Sequence, residues 1–579
     1  MKLIEALEAV KRTPQHQSAV LQVHLACGFT PLHFLTFLDA HLRHQFPDRK
    51  VVVRTGLFGD LAGNLERLEN EPFSAVAAVM EWPDLDPRLG IRRLGGWGPG
   101  QLHDLIGNVR DQAARISDIL ERIGRKGAVA LALPTLPLPP LALTPTWQSS
   151  SFENHLREAV ASFAAQVSGF QGVRIVSSQR LDQLSPPSAR FDVKSEVNTG
   201  FPYSISHADV LAGLMARIIR NRLPKKGLIT DLDDTLWKGI LGEDNVEGIA
   251  WDLDHYAQAH GLYQQLLASL AEAGILIAIA SKNDPALVEE AFQRAKPILP
   301  RERIFPLEAG WGAKSESVSR ILQAWNIGAD SVVFVDDNPL DLAEVKAAHP
   351  EIQCLAFPRD DESSAYQLLQ DLRDLFGKQS ISGEDAIRLE SLRASRVAAE
   401  ATRSQGTSPE HFLQQAEGKL TLSFAKDSPD PRALELINKT NQFNLNGKRH
   451  TEASWNEYLS DIKAFLLLAS YEDKFGPLGK IAVVAGRQEE TRLWIDRWVM
   501  SCRAFSRRIE HGCLLYLFRK FNAEEATFDF VATTRNGPLQ DFFAGLMGKP
   551  PSGAFSISRW LAEEKCPKVY AQIQEHPRE

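Results

Sequence analysis

Apolar runs long enough for single strands recur through the first part of the chain, separated by stretches with helical periodicity. The runs that predict strands are Val20–Leu25, Val51–Val53, Ala75–Val79, Ala128–Leu133 and Val173–Ser177. Strands that alternate with helices in this way predict an α/β domain, which extends to about Asn221. The turn at Pro224–Gly227 separates this domain from the next one.

The alternation of predicted strands and helices is most regular between about Lys226 and Phe376. Two helical patterns there begin with proline after a capping residue, at Asp284–Pro285 and Asn338–Pro339. Three apolar runs each end in polar residues: Leu228–Asp233, Ile275–Ser281 and Val332–Asp337. This alternation predicts a doubly wound parallel sheet. Ligands on such sheets bind beyond the carboxyl ends of the strands, which is where the polar residues lie.

The last part of the chain has a different pattern, which follows a charged, helical stretch from about Gly383 to Gln415. Its predicted strands are Lys419–Ala425, Ala464–Ser470, Lys480–Ala485, Arg492–Met500 and Thr527–Thr533, and its predicted helices are Pro431–Asn441 and Arg508–Phe521. This pattern indicates an α+β domain in which most neighbouring strands are antiparallel. The proline-containing segment after Gly548 is expected to be peripheral.

The length of 579 residues is too great for one core, because single cores stop growing near about 250–300 residues. We therefore predict a multidomain α/β protein. The predicted parts are an α/β domain at 1–221, a parallel-sheet domain at 222–378, a helical linker at 379–415, an α+β domain at 416–548 and a C-terminal tail at 549–579.

Composition narrows the class of partner. The 65 basic against 73 acidic residues give a net charge of −8, which argues against binding to nucleic acid or to anionic membranes. Prolines interrupt the longest uncharged stretch, so no membrane helix is expected there. The five cysteines form no CxxC pair, and the N-terminus lacks the pattern of a signal peptide. We expect a cytoplasmic protein.

The candidate chemistry is concentrated in the middle domain. Asp231 and Asp233 lie two residues apart at the end of a predicted strand, where one carboxylate can attack phosphorus and the other can act as acid and base. Repulsion between the phosphate and Asp231 requires a Mg²⁺ ion, whose remaining carboxylate would come from Asp336 or Asp337. The hydroxyl of Ser281 and the ammonium of Lys314 would hold the phosphoryl oxygens.

These residues resemble the motifs of the haloacid-dehalogenase (HAD) superfamily. The matches are DxDxT at Asp231, Asp233 and Thr235, the strand-end Ser281, Lys314, and the DD motif at Asp336–Asp337. The resemblance implies a central Rossmann-like parallel sheet with Asp231 as nucleophile and Asp233 as acid/base. It implies Mg²⁺ held by Asp231, the backbone of Asp233 and a motif-four acid, for which Asp337 is favoured over Asp336. Phosphate would be bound by Thr235, Ser281 and Lys314.

The spacing of these motifs predicts an open site. About fifty residues separate Asp231 from Ser281 and about thirty separate Ser281 from Lys314, so little more than a helix fits in each gap. No large cap domain is expected. An uncapped site cannot enclose a small substrate alone and suits a substrate presented by another protein or domain.

A second candidate site lies at Cys502, where a predicted strand meets a predicted helix. A helix N-terminus favours anions, and Arg503, Arg507 and Arg508 add positive charge, so the thiolate of Cys502 would be stabilised. The alternative is a buried, inert cysteine.

Several longer motifs resemble the FkbH-like branch of the HAD superfamily over about residues 190 to 545. They are Asp231–Gly239, Gly242–Asp244, Val335–Pro339, Asn438–Asn444 and Met500–Arg503. The resemblance implies transfer of the glyceryl unit of 1,3-bisphosphoglycerate to an enzyme cysteine, its dephosphorylation, and its delivery as a thioester to the phosphopantetheine arm of an acyl carrier protein in polyketide-type metabolism. Cys502 would be the acyl-transfer cysteine.

The outer domains resemble two further families. The third domain is similar to acetyltransferases of the GNAT type, which implies a phosphate contact at Arg503 and a substrate or carrier contact at Arg508, although Ser506 and Arg508 stand where glycines are usual. Asn441, Gln442 and Asn444 either contact a polar substrate or carrier, or cap and pack a helix end. The first domain is similar to SGNH hydrolases around Gly59–Asp60, but Leu61 replaces the nucleophile and no Asp lies three residues before His207. We predict a noncatalytic first domain.

Three hypotheses follow. The first is a Mg²⁺-dependent glyceryl transferase and phosphatase that acts with a carrier protein. The second is a capless phosphatase that acts on a sugar phosphate or phosphoprotein, with the outer domains as binding modules. The third is a noncatalytic scaffold for a carrier protein, against which the acids and Lys314 argue.

Overall fold

The structure is a computed structural model that describes residues 1–576 except 12–18, 95–96, 99, 101, 142, 379–380, 382–384, 386, 391, 394–408, 425, 427–429, 441, 475, 502–503, 506 and 534. The chain forms two compact units. Unit 1 contains Met1–Arg222 and His450–Tyr458, and unit 2 contains Leu223–Arg449 and Leu459–Glu579. No helix among the described residues is long and apolar enough to span a bilayer.

Unit 1 contains a parallel sheet of order β2-β1-β3-β4-β5 with helices around it. Its strands are β1 (Ala19–Cys27), β2 (Arg49–Thr55), β3 (Ala75–Val79), β4 (Ala128–Ala132) and β5 (Val173–Ile175). Its helices are α1 (Leu3–Lys11), α2 (Leu32–Gln45), α3 (Leu61–Arg67), α4 (Trp82–Leu85), α5 (Leu105–Gly124), α6 (Ser151–Val167), α7 (Ser178–Leu184), α8 (Val193–Thr199) and α9 (Ile205–Arg220). The five predicted strands are confirmed. All five residues of β3 are buried, as expected for a central strand covered on both faces.

The first sheet of unit 2 is parallel, in the order β10-β9-β6-β7-β8. Its strands are β6 (Gly227–Thr230), β7 (Leu276–Ser281), β8 (Ile304–Ala309), β9 (Val332–Asp336) and β10 (Gln353–Ala356). Its helices are α10 (Leu241–Gly248), α11 (Gln258–Glu272), α12 (Pro285–Arg294), α13 (Lys314–Trp325), α14 (Pro339–Ala348) and α15 (Glu362–Phe376).

The predicted helix starts are confirmed in this sheet domain. The Asp284 side chain accepts hydrogen bonds from the backbone N–H groups of Ala286 and Leu287, and Asn338 accepts one from Leu340. Each helix has proline at its first position, where a missing N–H costs nothing. The sequence did not predict the edge strands β8 and β10. β8 contains Pro306, and β10 is only partly buried, so neither presents a continuous apolar run.

The second sheet of unit 2 has the order β17-β16-β15-β14-β13-β11-β18, with β12 paired to β15. Most neighbours are antiparallel, as predicted. Its strands are β11 (Lys419–Phe424), β12 (Phe443–Asn444), β13 (Ala464–Asp473), β14 (Gly476–Glu489), β15 (Arg492–Met500), β16 (Glu525–Phe528), β17 (Phe555–Ser558) and β18 (Gln572–Glu575). The helices of this part of the chain are α16 (Pro409–Gln415), α17 (Pro431–Lys439), α18 (Glu452–Leu459), α19 (Ile509–Lys520), α20 (Gly537–Met547) and α21 (Arg559–Lys565). Much of the predicted helical stretch at 383–415 lies outside the described residues.

The prediction of a peripheral tail at 549–579 is wrong. β17 pairs with β16 at one edge of this sheet, and β18 pairs with β11 at the other. Ile557 and Ala562, both in this segment, are fully buried. The prolines after Gly548 therefore lie between short elements that complete the sheet, rather than in a separate tail.

A chain that ends at Gly548 should consequently lose its folded second sheet. β16 and β11 would each lose a partner, and the core surface beneath Ile557 and Ala562 would be exposed. We expect low solubility and a lower midpoint in thermal melts followed by circular dichroism. A chain that ends at His576 keeps β17 and β18 and is the control. Equal melting of the two chains would contradict the assignment of these strands.

Candidate active site

The predicted site residues of the first sheet of unit 2 meet at the carboxyl ends of its strands. Asp231 directly follows β6, Ser281 ends β7 and Asp336 ends β9. Because β6 lies between β9 and β7, these three residues are on neighbouring strands. Lys314, the first residue of α13, follows the edge strand β8 and reaches the same place. The sheet thus brings together residues that are far apart in the chain.

Lys314 is at the centre of the group and is only 3% exposed. Its Nζ lies 2.6 Å from Asp336 Oδ2, 3.0 Å from Asp231 Oδ2 and 3.3 Å from Asp341 Oδ2. Burial opposes the charged ammonium, but the facing carboxylates of Asp231 and Asp336 outweigh burial and raise the pKa of Lys314. Lys314 is therefore a permanent cation that holds two strand ends together.

The carboxylates exceed the buried positive charge. Burial raises the pKa of Asp231, of Asp336 and of Asp337, and the charge of Lys314 offsets this only in part. Mutual repulsion adds to the effect, since Asp231 raises the pKa of both Asp336 and Asp337. Asp341 is also paired with Lys282, and Arg359 lies near Asp337, so Asp231, Asp336 and Asp337 together keep an excess of negative charge that a bound cation would offset.

One oxygen of this group has no protein partner. Asp231 Oδ1 is buried and accepts no hydrogen bond from any described residue. Asp231, Asp336 and Asp337 each offer a carboxylate oxygen, and these oxygens lie within 4.8 Å of one another. Ligand oxygens of an octahedral Mg²⁺ ion lie about 2.1 Å from the metal and so at most about 4.2 Å apart. The donor set therefore fits a hard divalent cation after small side-chain shifts.

Thr235, which was predicted to bind phosphate, contacts Asp337 instead. Its side chain is fully buried, its Oγ1 accepts the backbone N–H of Asp337 at 3.0 Å, and its hydroxyl donates to Asp337 Oδ1 at 3.3 Å. Thr235 thus orients Asp337. On the other side, Arg359 Nη1 lies 3.4 Å from Asp337 Oδ2 and 3.2 Å from Asp234 Oδ2. Arg359 was not predicted, because an exposed arginine outside the motifs carries no signal in a single sequence.

Asp233 is held by donors from its own loop and from the neighbouring strand end. Its Oδ1 accepts from Trp237 Nε1 at 3.0 Å and from the Leu241 N–H at 3.1 Å, and its Oδ2 accepts from Asn283 Nδ2 at 2.9 Å. Asn283 is 2% exposed and also donates to Ser281 Oγ at 3.1 Å. Ser281 in turn is near enough to Asp231 to lower the pKa of that carboxyl, so Asn283 and Ser281 lie between the two aspartates.

No cap domain interrupts this part of the chain, which is described without gaps from 222 to 378. Between Asp231 and Ser281 lie only α10 and α11, of 8 and 15 residues. Between Ser281 and Lys314 lie α12, a short 3₁₀ turn and β8. Each of these two segments holds slightly more than the single helix that was predicted. Neither contains a further domain, in agreement with the prediction of an uncapped site.

The residues predicted to contact substrate in the third domain make internal contacts where they are described. Asn444 is 4% exposed, donates to Thr440 O at 2.9 Å and accepts from the N–H groups of Asn446 and Gly447. Gln442 Nε2 donates to Asn326 Oδ1 at 2.8 Å. These contacts agree with the second interpretation of this segment, in which Gln442 and Asn444 cap and pack a helix end.

The surroundings of Cys502 are only partly described. Cys502, Arg503 and Asn441 lie outside the described residues. Arg508 donates to Lys568 O at 2.9 Å and to Glu410 Oε1 at 3.1 Å, and Arg507 Nε lies 2.9 Å from Asp473 Oδ2. The positive charges of these two arginines are therefore paired with acceptors of the protein itself.

A cavity of about 430 Å³ lies beside the residues that precede Cys502. Met500 and Ser501 line it, together with Lys226 before β6, Leu276 at the start of β7 and Ser331 before β9. These last three residues mark the amino ends of the first sheet. The cavity that Ser501 lines is therefore at the amino edge of that sheet, whereas Asp231 is at the carboxyl edge; β6 between these edges is about 13 Å long at about 3.3 Å per residue.

The first domain has no nucleophile at the position where the SGNH resemblance would require one. Leu61 is 3% exposed, and Asp60 caps α3 by accepting the Gly63 N–H at 2.8 Å. His207 is fully buried between Thr135 Oγ1 at 3.1 Å and Ser185 Oγ at 2.9 Å. Burial lowers the pKa of His207 to about 3, so the imidazole is neutral.

Comparison with known proteins supports the fold. No family model matches the sequence, and no curated protein matches it. The crystal structure of the N-terminal part of the protein BF1531 from Bacteroides fragilis, which contains a phosphatase domain complexed with Mg, covers 66% of this chain and 100% of its own. The TM-score is 0.51 and the identity is 20%. An uncharacterized protein from Corynebacterium glutamicum covers 27% of this chain and 98% of its own, with a TM-score of 0.19 and 16% identity.

The arrangement of strands and the similarity to the phosphatase-domain structure agree on the fold class. The chain is a multidomain α/β protein with a parallel sheet in unit 2, as the sequence predicted. The carboxyl edge of that sheet carries Asp231, Asp233, Ser281, Lys314, Asp336 and Asp337.

Proposed function

We propose that the carboxyl edge of this sheet is a Mg²⁺-dependent phosphatase site. The observation that carries the proposal is the group of Asp231, Asp336 and Asp337, two of which contact the buried ammonium of Lys314, with Asp231 Oδ1 unpaired among the described residues. The Mg complex of the phosphatase domain in the B. fragilis structure supports the same assignment.

The metal would be held by Asp231 together with Asp336, Asp337 or both. When bound, Mg²⁺ would screen the charge of the phosphoryl group from the attacking carboxylate and neutralise charge on its oxygens. Lys314 would keep Asp231 ionised and oriented, and Ser281 would donate to it or to a phosphoryl oxygen. Mg²⁺ binding should displace protons from the carboxyls, whose pKa values are raised.

The reaction would proceed in two steps at one aspartate. The carboxylate of Asp231 attacks phosphorus, the bond from phosphorus to the leaving oxygen breaks, and Asp233 gives its proton to that oxygen. Water then loses a proton to Asp233 and attacks the phosphorus of the aspartyl phosphate, which releases inorganic phosphate and restores Asp231. The three donors on Asp233 would fix its position through both steps.

Phosphate release tests this proposal directly. The full chain is incubated with a panel of sugar phosphates, phosphopeptides and acyl phosphates, first with EDTA and then with excess Mg²⁺. We expect release of inorganic phosphate from at least one class, only with Mg²⁺. Release that is equally fast in EDTA would exclude the proposed site as its source.

Replacing Thr235 by valine should weaken metal binding without removing a ligand. Valine has the shape of threonine but cannot hold the backbone or the carboxylate of Asp337. Loss of such an orienting contact typically costs about 10–100-fold in metal affinity. The Mg²⁺ concentration that gives half-maximal phosphate release should rise by about tenfold. Thr527, whose hydroxyl makes a side-chain hydrogen bond to Ser556 in the second sheet of unit 2, replaced by valine, is the control. An unchanged Mg²⁺ requirement in Thr235→Val would contradict the role of Asp337.

We further propose that the substrate is the three-carbon acyl unit of 1,3-bisphosphoglycerate. This glyceryl unit would be loaded on an acyl carrier protein through Cys502. The support is the sequence resemblance at Asp231–Gly239, Asn438–Asn444 and Met500–Arg503, together with the uncapped site. Since the cavity that Ser501 lines is at the amino edge of the sheet and Asp231 is at its carboxyl edge, the glyceryl unit would have to travel between them on a flexible arm.

Intact-mass spectrometry tests the transfer. The protein is incubated with 1,3-bisphosphoglycerate, Mg²⁺ and a panel of holo carrier proteins, and we expect a glyceryl adduct on one carrier. Asp231→Asn should stop at a phosphoglyceryl species. Normal loading by Cys502→Ala would exclude the cysteine from the path, while phosphate release without any adduct would leave only the phosphatase.

The second candidate is a phosphatase that acts on a sugar phosphate or a phosphoprotein without acyl transfer. The observation that favours it is the same separation, because the residues preceding Cys502 do not share a cavity with Asp231. The substrate panel above distinguishes the two: hydrolysis of a sugar phosphate or phosphopeptide at full rate without a carrier supports the second candidate.

A further inference from the structure

A second cavity, in unit 1, lies where a parallel sheet of this topology usually binds ligands. It has a volume of about 230 Å³ and is lined by Gly28 and Phe29 after β1, Glu81 after β3 and Leu136 after β4. In the order β2-β1-β3-β4-β5, the chain changes direction across the sheet between β1 and β3. Ligands of doubly wound sheets bind at such a switch point, beyond the carboxyl ends of the strands.

Most of the cavity wall is apolar and aromatic. Phe29, Trp82 and Phe191 line it, along with several prolines. The indole N–H of Trp82 donates to Leu136 O at 2.9 Å, so the polar atom of this ring is already paired. The volume corresponds to about eight water molecules at about 30 Å³ each, which is below the usual range for drug-sized ligands. The walls therefore suit the apolar body of a small molecule.

Glu196 gives the cavity an unpaired charged group. The residue lines the cavity and is 9% exposed, and its Oε2 is buried without a hydrogen-bond partner among the described residues. Burial raises the pKa of Glu196, and the charge of Arg92 opposes this. A buried carboxylate oxygen without a donor is costly, and a ligand that supplies one would remove that cost.

Asp84 is the second carboxylate on the cavity wall. Its Oδ2 accepts the backbone N–H of Glu81 at 2.7 Å. Its Oδ1 lies so close to Gly28 that a Cβ there would be 1.7 Å from it, so the glycine permits this approach. Burial raises the pKa of Asp84 to about 7.

The third acid of the wall, Glu81, is already satisfied. Its carboxylate accepts from the N–H and hydroxyl of Thr135, the N–H of Leu136 and the hydroxyl of Tyr203. Glu81 is therefore a structural group, and Asp84 and Glu196 are the acids that a ligand would meet.

We propose that this cavity binds a small organic cation, an ammonium group on an aromatic or apolar body. Asp84 and Glu196 would accept from the ammonium, and the rings of Phe29, Trp82 and Phe191 would enclose the body and attract the cation through their faces. The wall carries three acids, Glu81, Asp84 and Glu196, against two arginines, Arg92 and Arg93, so the acids exceed the bases by one group. The site belongs to unit 1 and is independent of the phosphatase proposal.

Calorimetry with three ligands of similar shape but different charge tests whether the cavity prefers a cation. The probes are phenethylamine, phenethyl alcohol and phenylacetate, titrated into the full chain near neutral pH. We expect the amine to bind at least about tenfold more tightly than the alcohol, and phenylacetate not to bind. Phenylacetate binding as tightly as the amine, or no binding of the amine, would overturn the proposal.

Variants locate the binding. Glu196→Gln and, separately, Asp84→Asn should each weaken the amine at least about tenfold and leave the alcohol unchanged. Glu158→Gln, at an exposed position of α6, is the matched control and should bind like the wild type. Thermal melts followed by circular dichroism report whether each variant is folded. Unchanged amine binding in both folded cavity variants would show that the amine binds elsewhere and would overturn the assignment.

Discussion

Asp231→Asn is expected to lower phosphate release by at least about a thousandfold while leaving the protein as stable as before, or more stable. Loss of a nucleophile removes the covalent path, and about a thousandfold corresponds to about 4 kcal/mol of the barrier. Stability should not suffer, because Asp231 Oδ1 has no hydrogen-bond partner among the described residues and the charge of Asp231 repels Asp336 and Asp337. Phosphate release and thermal melts in EDTA measure the two effects.

A loss of phosphate release without a loss of stability separates a catalytic role of Asp231 from a structural one. Asp234→Asn is the matched control in the same loop, since Asp234 contacts Arg359 and the Gly239 N–H and is not among the three candidate metal ligands. It should keep most of the activity. If Asp231→Asn retained normal turnover, Asp231 would not be the nucleophile; if it lost activity by unfolding, the charge account of the site would be wrong.

Lys314→Met should lower both activity and stability by large amounts. The substitution removes the ammonium that contacts Asp231, Asp336 and Asp341 and leaves these carboxyls buried without it. Breaking a buried ion pair by removing one partner costs about 3–5 kcal/mol. We expect a loss of that order in the free energy of unfolding, from urea denaturation in EDTA near neutral pH. The exposed Lys296, replaced by methionine, is the control.

The same variant should show a characteristic dependence on pH and metal. Without Lys314, the folded-state pKa values of Asp231 and Asp336 rise further above their unfolded values, because burial and mutual repulsion are no longer opposed. Acids that bind protons more tightly when folded lose stability as pH rises. The difference in the free energy of unfolding between wild type and variant should therefore shrink as the pH falls from about 7.5 to about 5. It should also shrink on adding Mg²⁺. A deficit that does not vary with pH would show that packing, not charge, is lost.

Elements and site residues are predicted best from the sequence where a single local property, such as an apolar run or a capping side chain, determines the residue type. The strand ends that carry Asp231, Ser281 and Asp336 follow continuous apolar runs, and the helix starts at Pro285 and Pro339 follow capping side chains. These features are local, so spacing along the chain identifies them. The sequence also indicated the convergence of these residues, because parallel strands bring their carboxyl ends to one edge.

The sequence fails where a residue's role depends on which of several partners the fold brings near. Thr235 resembles a phosphate ligand, but burial directs its hydroxyl to Asp337. Asn283 and Arg359 contact Asp233 and Asp337 without belonging to a recognisable spacing. The segment after Gly548 has too short and too mixed a pattern to reveal β17 and β18, whose stability comes from edge pairing with β16 and β11.

The central claim is that Asp231 itself accepts the phosphoryl group, and trapping that group tests it most directly. Asp233→Asn, which should slow hydrolysis of the intermediate, is incubated with Mg²⁺ and an acyl phosphate, quenched in acid and reduced with borohydride, which converts an aspartyl phosphate to homoserine. Peptide mass spectrometry should then find homoserine at position 231, with Mg²⁺ and not with EDTA. Homoserine at another aspartate, or its absence from position 231 in a sample that releases phosphate, would contradict the account.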